Sequence, residues 1–155
     1  MATKKKTTTR KKKPAKRATA TRRAQRHKPE SFRARGVAPS LTVRDIERSI
    51  AWYRDVLGFT EGERWTSDNR LHGIQLKAGN IDLMLTQDDF AKGRDRKLGE
   101  GVRVWFETVQ DIDALADQIR SRGGVLDNDP QQMPWGDYAF AVTDPDGYKF
   151  TVVQL

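Results

Sequence analysis

Residues 41–59 read LTVRDIERSIAWYRDVLGF. Leu41 and Val43 alternate with polar neighbours, as at the end of a strand. Asp45 then offers an acceptor side chain to the first free amides of a helix. Ile46, Ile50, Tyr53 and Leu57 follow at steps of four, three and four, which puts them on one helical face. Gly58 stops the helix, because glycine takes the left-handed C-terminal position without steric cost.

The same plan returns further along. Residues 106–109 end a strand, Asp111-Ile112 repeats Asp45-Ile46, and Ile112, Leu115, Ala116 and Ile119 form the apolar stripe up to Gly123-Gly124. Asp45 and Asp111 lie 66 residues apart, and the hairpin glycines Gly79 and Gly147 lie 68 apart. Two landmarks with nearly equal offsets predict an internal duplication.

Between these landmarks the pattern predicts short strands. In the first half they cover 37–43, 60–66, 71–77 and 81–86, with turns at Ser67-Asp68-Asn69 and Ala78-Gly79-Asn80. On the strand at 81–86, Ile81, Leu83 and Leu85 suit packing under the helix, opposite Asp82, Met84 and Thr86. A charged, Gly-punctuated connection fills 88–101. In the second half a strand at 102–108 sets Val104 and Phe106 opposite Arg103, Trp105 and Glu107. The helix at 111–122, a short strand around Val125 and an irregular loop at 128–135 come next. A hairpin of 138–143 and 148–155 turns through Asp144-Pro145-Asp146-Gly147. Each half is strand, helix, three strands, in an α+β chain.

Charge divides the molecule differently. The net charge is +8, but residues 1–36 hold fifteen Lys or Arg against the single acid Glu30, giving +14, and residues 37–155 carry −6. The first segment has almost no large apolar side chain before Phe32 and is expected to be disordered. Its Lys/Arg clusters are those of a polyanion-binding arm acting through counterion release, or of a solubilising extension. Residues 11–17, KKKPAKR, also resemble a nuclear import signal. With no cysteine, nothing points to disulfides or thiol chemistry. No apolar run reaches the roughly 20 residues of a membrane span. A cytoplasmic location, nucleoid-associated if the arm binds DNA, is the expectation.

LTVRDIERSIAWYRDVLGF, AGNIDLMLTQ and PWGDYAFAVTDPDGYKFTVVQL together resemble the glyoxalase, bleomycin-resistance and extradiol dioxygenase superfamily, the vicinal oxygen chelate proteins. The resemblance covers 37–155. It implies two tandem βαβββ modules, about 37–87 and 101–155, curled into a mixed-sheet cup, and frequent homodimers. Metal-dependent members place His or Glu at four cup positions, which fall here on Ala38, Met84, Arg103 (or Val104) and Thr151. None is a usual donor for a catalytic divalent ion, so the resemblance implies no metal and no cofactor.

His72 is the one histidine of the folded part, and a lone His at a strand start is most often a partly exposed polar residue. The expected ligand-binding set is Trp65, His72, Asp82, Met84, Arg103, Trp105, Glu107, Trp135, Asp137, Tyr138 and Thr151. Trp65 and Trp105 fit pocket or core alike, since strand parity alone does not name the face. Trp52, on the helix, reads as core. Aromatic faces beside carboxylates suit a flat or cationic ligand. The expected function is metal-free sequestration of an antibiotic-like small molecule, with a lyase, isomerase or dioxygenase using Glu107 or Asp82 with His72 as the alternative.

Overall fold

The computed structural model describes residues 36–155, and Gly36 to Leu155 form one compact unit. The expected basic, disordered segment lies outside the described residues, apart from its last residue, Gly36. The first half runs β1 (Ser40–Val43), α1 (Ile46–Ala51), β2 (Thr60–Ser67), β3 (Arg70–Ala78) and β4 (Ile81–Gln87). The second half repeats it as β5 (Arg103–Thr108), α2 (Ile112–Ser121), β6 (Leu126–Gln132), β7 (Tyr138–Thr143) and β8 (Lys149–Gln154). The duplicated βαβββ plan and the α+β class are therefore present.

Each module closes its own four-stranded mixed sheet, in the orders β1-β4-β3-β2 and β5-β8-β7-β6. The strand before each helix pairs in parallel with the last strand of its module, and the other pairings are antiparallel. Asp45 caps α1 by accepting from the Arg48 amide at 3.1 Å, and Asp111 caps α2 by accepting from Asp113 and Ala114. Each cap fills amides that the helix itself leaves free. Beyond Ala51 the first helix widens into a π-helical turn over Trp52–Val56, ending at Gly58 with φ +80°. Period counting does not detect this widening, because the apolar stripe survives it.

The helix-facing side chains of both sheets meet in one core. Ile50, Tyr53, Ile74, Leu76, Leu83 and Leu85 of the first module join Ile112, Ile119, Phe140, Val142 and Phe150 of the second. Trp52 packs against this core, partly buried. The Asp144–Gly147 turn fastens the halves together. Tyr53 Oη donates to Asp144 at 2.7 Å, Ser49 Oγ to Asp146 at 3.1 Å, and Arg44 pairs with Asp146 at 3.2 Å.

Three local expectations change. The first strand begins at Ser40 rather than Val37. The short strand expected around Val125 and the irregular loop after it resolve into β6, with Val125 outside and exposed. Pro130 fits there because β6 is an edge strand and its ladder shifts register between Asn128 and Gln131, so the missing N–H breaks no pairing. Ile81 sits exposed at the hairpin mouth, paired with Ala78, instead of under the helix.

Candidate ligand-binding face

Because side chains alternate along a strand, the packing of Leu83, Leu85, Phe150 and Val152 into the common core fixes which residues lie on the opposite, outer faces. On the second sheet the outer face is built from β5 and its neighbours. Register pairs Arg103 with Lys149, Trp105 with Thr151 and Glu107 with Val153, while Ala141 and Ala139 continue the rows on β7. Trp105 thus lies in a row with small residues, 44 % exposed. Trp135 reaches it from the turn after β6, with ring centroids 5.7 Å apart and planes tilted by 52°. That turn is held by the Met133 amide donating to the Asp137 carbonyl at 2.8 Å, and Gly136, at φ +105°, allows it to close. The result is a solvent-open aromatic pair, with Arg103 and Glu107 on either side of Trp105 along β5.

Arg103 is oriented by a hydrogen bond from its guanidinium to Thr151 Oγ1 at 3.1 Å. Where the resemblance places its third and fourth metal ligands, on Arg103 (or Val104) and on Thr151, this chain thus has a cation bonded to a hydroxyl, or an apolar side chain in place of the cation. A fixed positive charge in the donor set repels a divalent ion, and Met84 and Thr151 are poor substitutes for imidazole or carboxylate. These residues do not fit a catalytic metal. Among the described residues, no three His, Cys, Asp or Glu side chains gather closely enough to hold one elsewhere.

The outer face of the first sheet holds Trp65, Asp82 and Met84. Trp65 is the register partner of Gly73 and lies across it, where a Cβ would come within 2.7 Å of the indole ring. Met84 pairs with Gln75, and Asp82 with Lys77. Asp82 and Trp105 therefore belong to different sheets, and the carboxylate-over-aromatic grouping expected for a cation is not assembled around Asp82. Asp137 does share a cleft with Trp105 and Glu107, of about 1280 Å³, which Ile81, Leu115 and Arg122 also border.

Two expected site residues face the other way. Tyr138 precedes outward Ala139 and so faces the helix layer, where its hydroxyl donates to Asp113 of α2 at 3.1 Å. Burial and the Asp113 carboxylate push that hydroxyl's pKa up, which keeps it a donor. His72 has the parity of helix-facing Ile74, and its Nε2 lies 3.3 Å from the Ser67 carbonyl. Glu107, Asp82 and His72, the alternative ligand set, thus lie on three different surfaces. Lys149 was the residue missed: only the register that pairs it with Arg103 brings it to the face.

Residues 36–152 match the family described as the Glyoxalase/Bleomycin resistance protein/Dioxygenase superfamily. A probable lactoylglutathione lyase of Synechocystis is 31% identical over 124 residues, covering 74% of this chain and 90% of that protein. A lactoylglutathione lyase of Arabidopsis thaliana is 28% identical over 120 residues, and there the match spans 72% of this chain but only 41% of the plant protein. Among solved structures, a superfamily member from Sphaerobacter thermophilus superposes with a TM-score of 0.60 at 26% identity, covering 77% of this chain and 98% of its own.

Proposed function

The chain belongs to the glyoxalase, bleomycin resistance and dioxygenase superfamily, and from that premise we propose that it binds a planar, drug-sized aromatic molecule without a metal. The reading is carried by the Trp105–Trp135 pair, solvent-open on the outer face of the second sheet. Tryptophan offers a large stacking area, and a tilted pair leaves one ring face free for a flat guest. The Arg103–Thr151 bond favours this account over metal chemistry.

The test is a tryptophan-fluorescence titration with bleomycin-type glycopeptides and flat aromatic compounds. Saturable quenching is expected, lost in Trp105→Ala and retained in Trp65→Phe. No saturable change across a broad panel ends the proposal. A second reading, a metal-dependent lyase, is favoured by the names of the relatives. Stoichiometric metal surviving dialysis of the purified protein would replace the first reading with this one.

Two partners complete the proposal. β1 and β5 are both edge strands, and Val102, Trp105, Val109 and Leu155 are exposed on or beside β5. Unpaired apolar edges call for a covering strand, and a second copy supplies one. Residues 1–36 form the other part: an arm for nucleic acid, holding the binding domain near DNA.

A further inference from the structure

Arg103 and Lys149 are register partners on neighbouring parallel strands and share the outer face. Like charges placed opposite each other across a strand pair are destabilising. Ordinarily an acid would separate them. The ion pairs among the described residues involve Arg44, Arg54, Arg64, Arg96, Lys97 and Arg120, but neither of these two. Of the acids nearby, Glu100 lines the same cleft and pairs with Lys97 at 3.5 Å, and Asp127 accepts from the Thr143 hydroxyl at 2.7 Å.

The two cations also line a cleft of about 640 Å³, whose wall is formed by Gly99, Glu100, Gly101 and Gly147. Gly101 takes φ +74° with open space where a Cβ would stand, which leaves that side of the cleft free for a small group. Gly99, at the same φ, packs against the Gly147 backbone. Thr151 fixes the guanidinium from one side, so part of the cost of ordering it is already met. Trp105 is two residues along the same strand face, about 7 Å away.

Resting on the ring-binding reading above, we propose that Arg103 and Lys149 bind the oxyanion of an aromatic acid, a carboxylate or phosphate, whose ring lies on Trp105 and Trp135. The preferred ligand is thus anionic at one end, not cationic. Guanidinium pairs with such planar oxyanions through two parallel donors, and the ammonium adds a point charge.

Isothermal titration of the full chain with four naphthalene compounds tests this: naphthoate, naphthyl phosphate, naphthylmethylammonium and neutral naphthalenemethanol. About 0.15 M salt keeps the screening length near 8 Å, which suppresses general attraction by residues 1–36. At least one acid is expected to bind roughly tenfold tighter than the neutral compound, since a charge-assisted hydrogen bond contributes at least that factor. The ammonium compound should bind more weakly than the neutral one. The tighter acid tells carboxylate from phosphate. Arg103→Gln and Lys149→Gln should each erode the advantage and leave naphthalenemethanol unchanged. Acids no tighter than naphthalenemethanol overturn the proposal and leave ring binding standing. So does an advantage that survives the double variant, because residues 1–36 would then be its source. Failure of all four compounds to bind overturns both.

Discussion

Tyr53 shows how one side chain joins the two modules. It is fully buried, it touches Phe59 and Phe150 edge to face, and its hydroxyl donates to Asp144 at 2.7 Å. Burial, reinforced by the Asp144 charge, pushes that hydroxyl's pKa far above its ordinary value of 10.0, so it remains a donor. Asp144 is buried too, and its other oxygen takes the amides of Asp146 and Tyr148 at 2.9 and 2.8 Å. Tyr53→Phe keeps the ring packing and strands one carboxylate oxygen. A buried unsatisfied acceptor costs about 1–3 kcal/mol. Urea unfolding should show a lower midpoint at unchanged slope, the mark of lost stability without a change in exposed area.

At the scale of elements, the connection between β4 and β5 behaves as a fitted part rather than a slack linker. Arg96 bonds Asp88 through two nitrogens at 3.0 and 2.7 Å, and Arg44 holds the Arg96 carbonyl at 2.7 Å. Hydrogen bonds from Arg96 hold the Asp88 carboxyl below its ordinary pKa. At its far end, Gly99 lies so close to the Asp144–Gly147 turn that a Cβ would overlap the Gly147 carbonyl. Gly101 has the same φ with open space around it. Both alanine variants carry left-handed strain of about 1 kcal/mol or more, but only Gly99→Ala adds a backbone collision. It should therefore cost about 2 kcal/mol more than Gly101→Ala in thermal unfolding. Equal losses would mean the loop gives way freely.

On the scale of the whole molecule, the charge split and the free edges set what the protein meets. A segment at +14 joined to a remainder at −6 should bind duplex DNA without sequence preference. Affinity should fall with salt at a slope near −0.9 per phosphate neutralised. A mobility-shift comparison of the full chain with a chain starting at Val37 reads this directly, and equal binding by both removes the role. Self-association is the second expectation at this scale. Sedimentation at tens of micromolar, where specific interfaces ordinarily persist, should give a dimer, and a monomer would leave the edges of β1 and β5 to some other cover.

The repeated βαβββ order, both Asp caps, the Asp144–Gly147 hairpin and the shared faces of Leu83 with Leu85 and of Val104 with Phe106 were legible in the sequence alone. Those features follow from local periodicity and turn chemistry, which neighbouring residues encode without reference to distant ones. The split of the expected site was decided only by tertiary structure. Trp65, Asp82 and Met84 went to one sheet, while Arg103, Trp105 and Thr151 went to another with Trp135, and Tyr138 turned to Asp113. Parity says which residues share a face, but the face that is buried depends on where the helices pack. The pairing of Arg103 with Lys149 depends further on strand register between segments 46 residues apart in the chain. Register is fixed by the whole buried layer acting together, and no single stretch of sequence carries it.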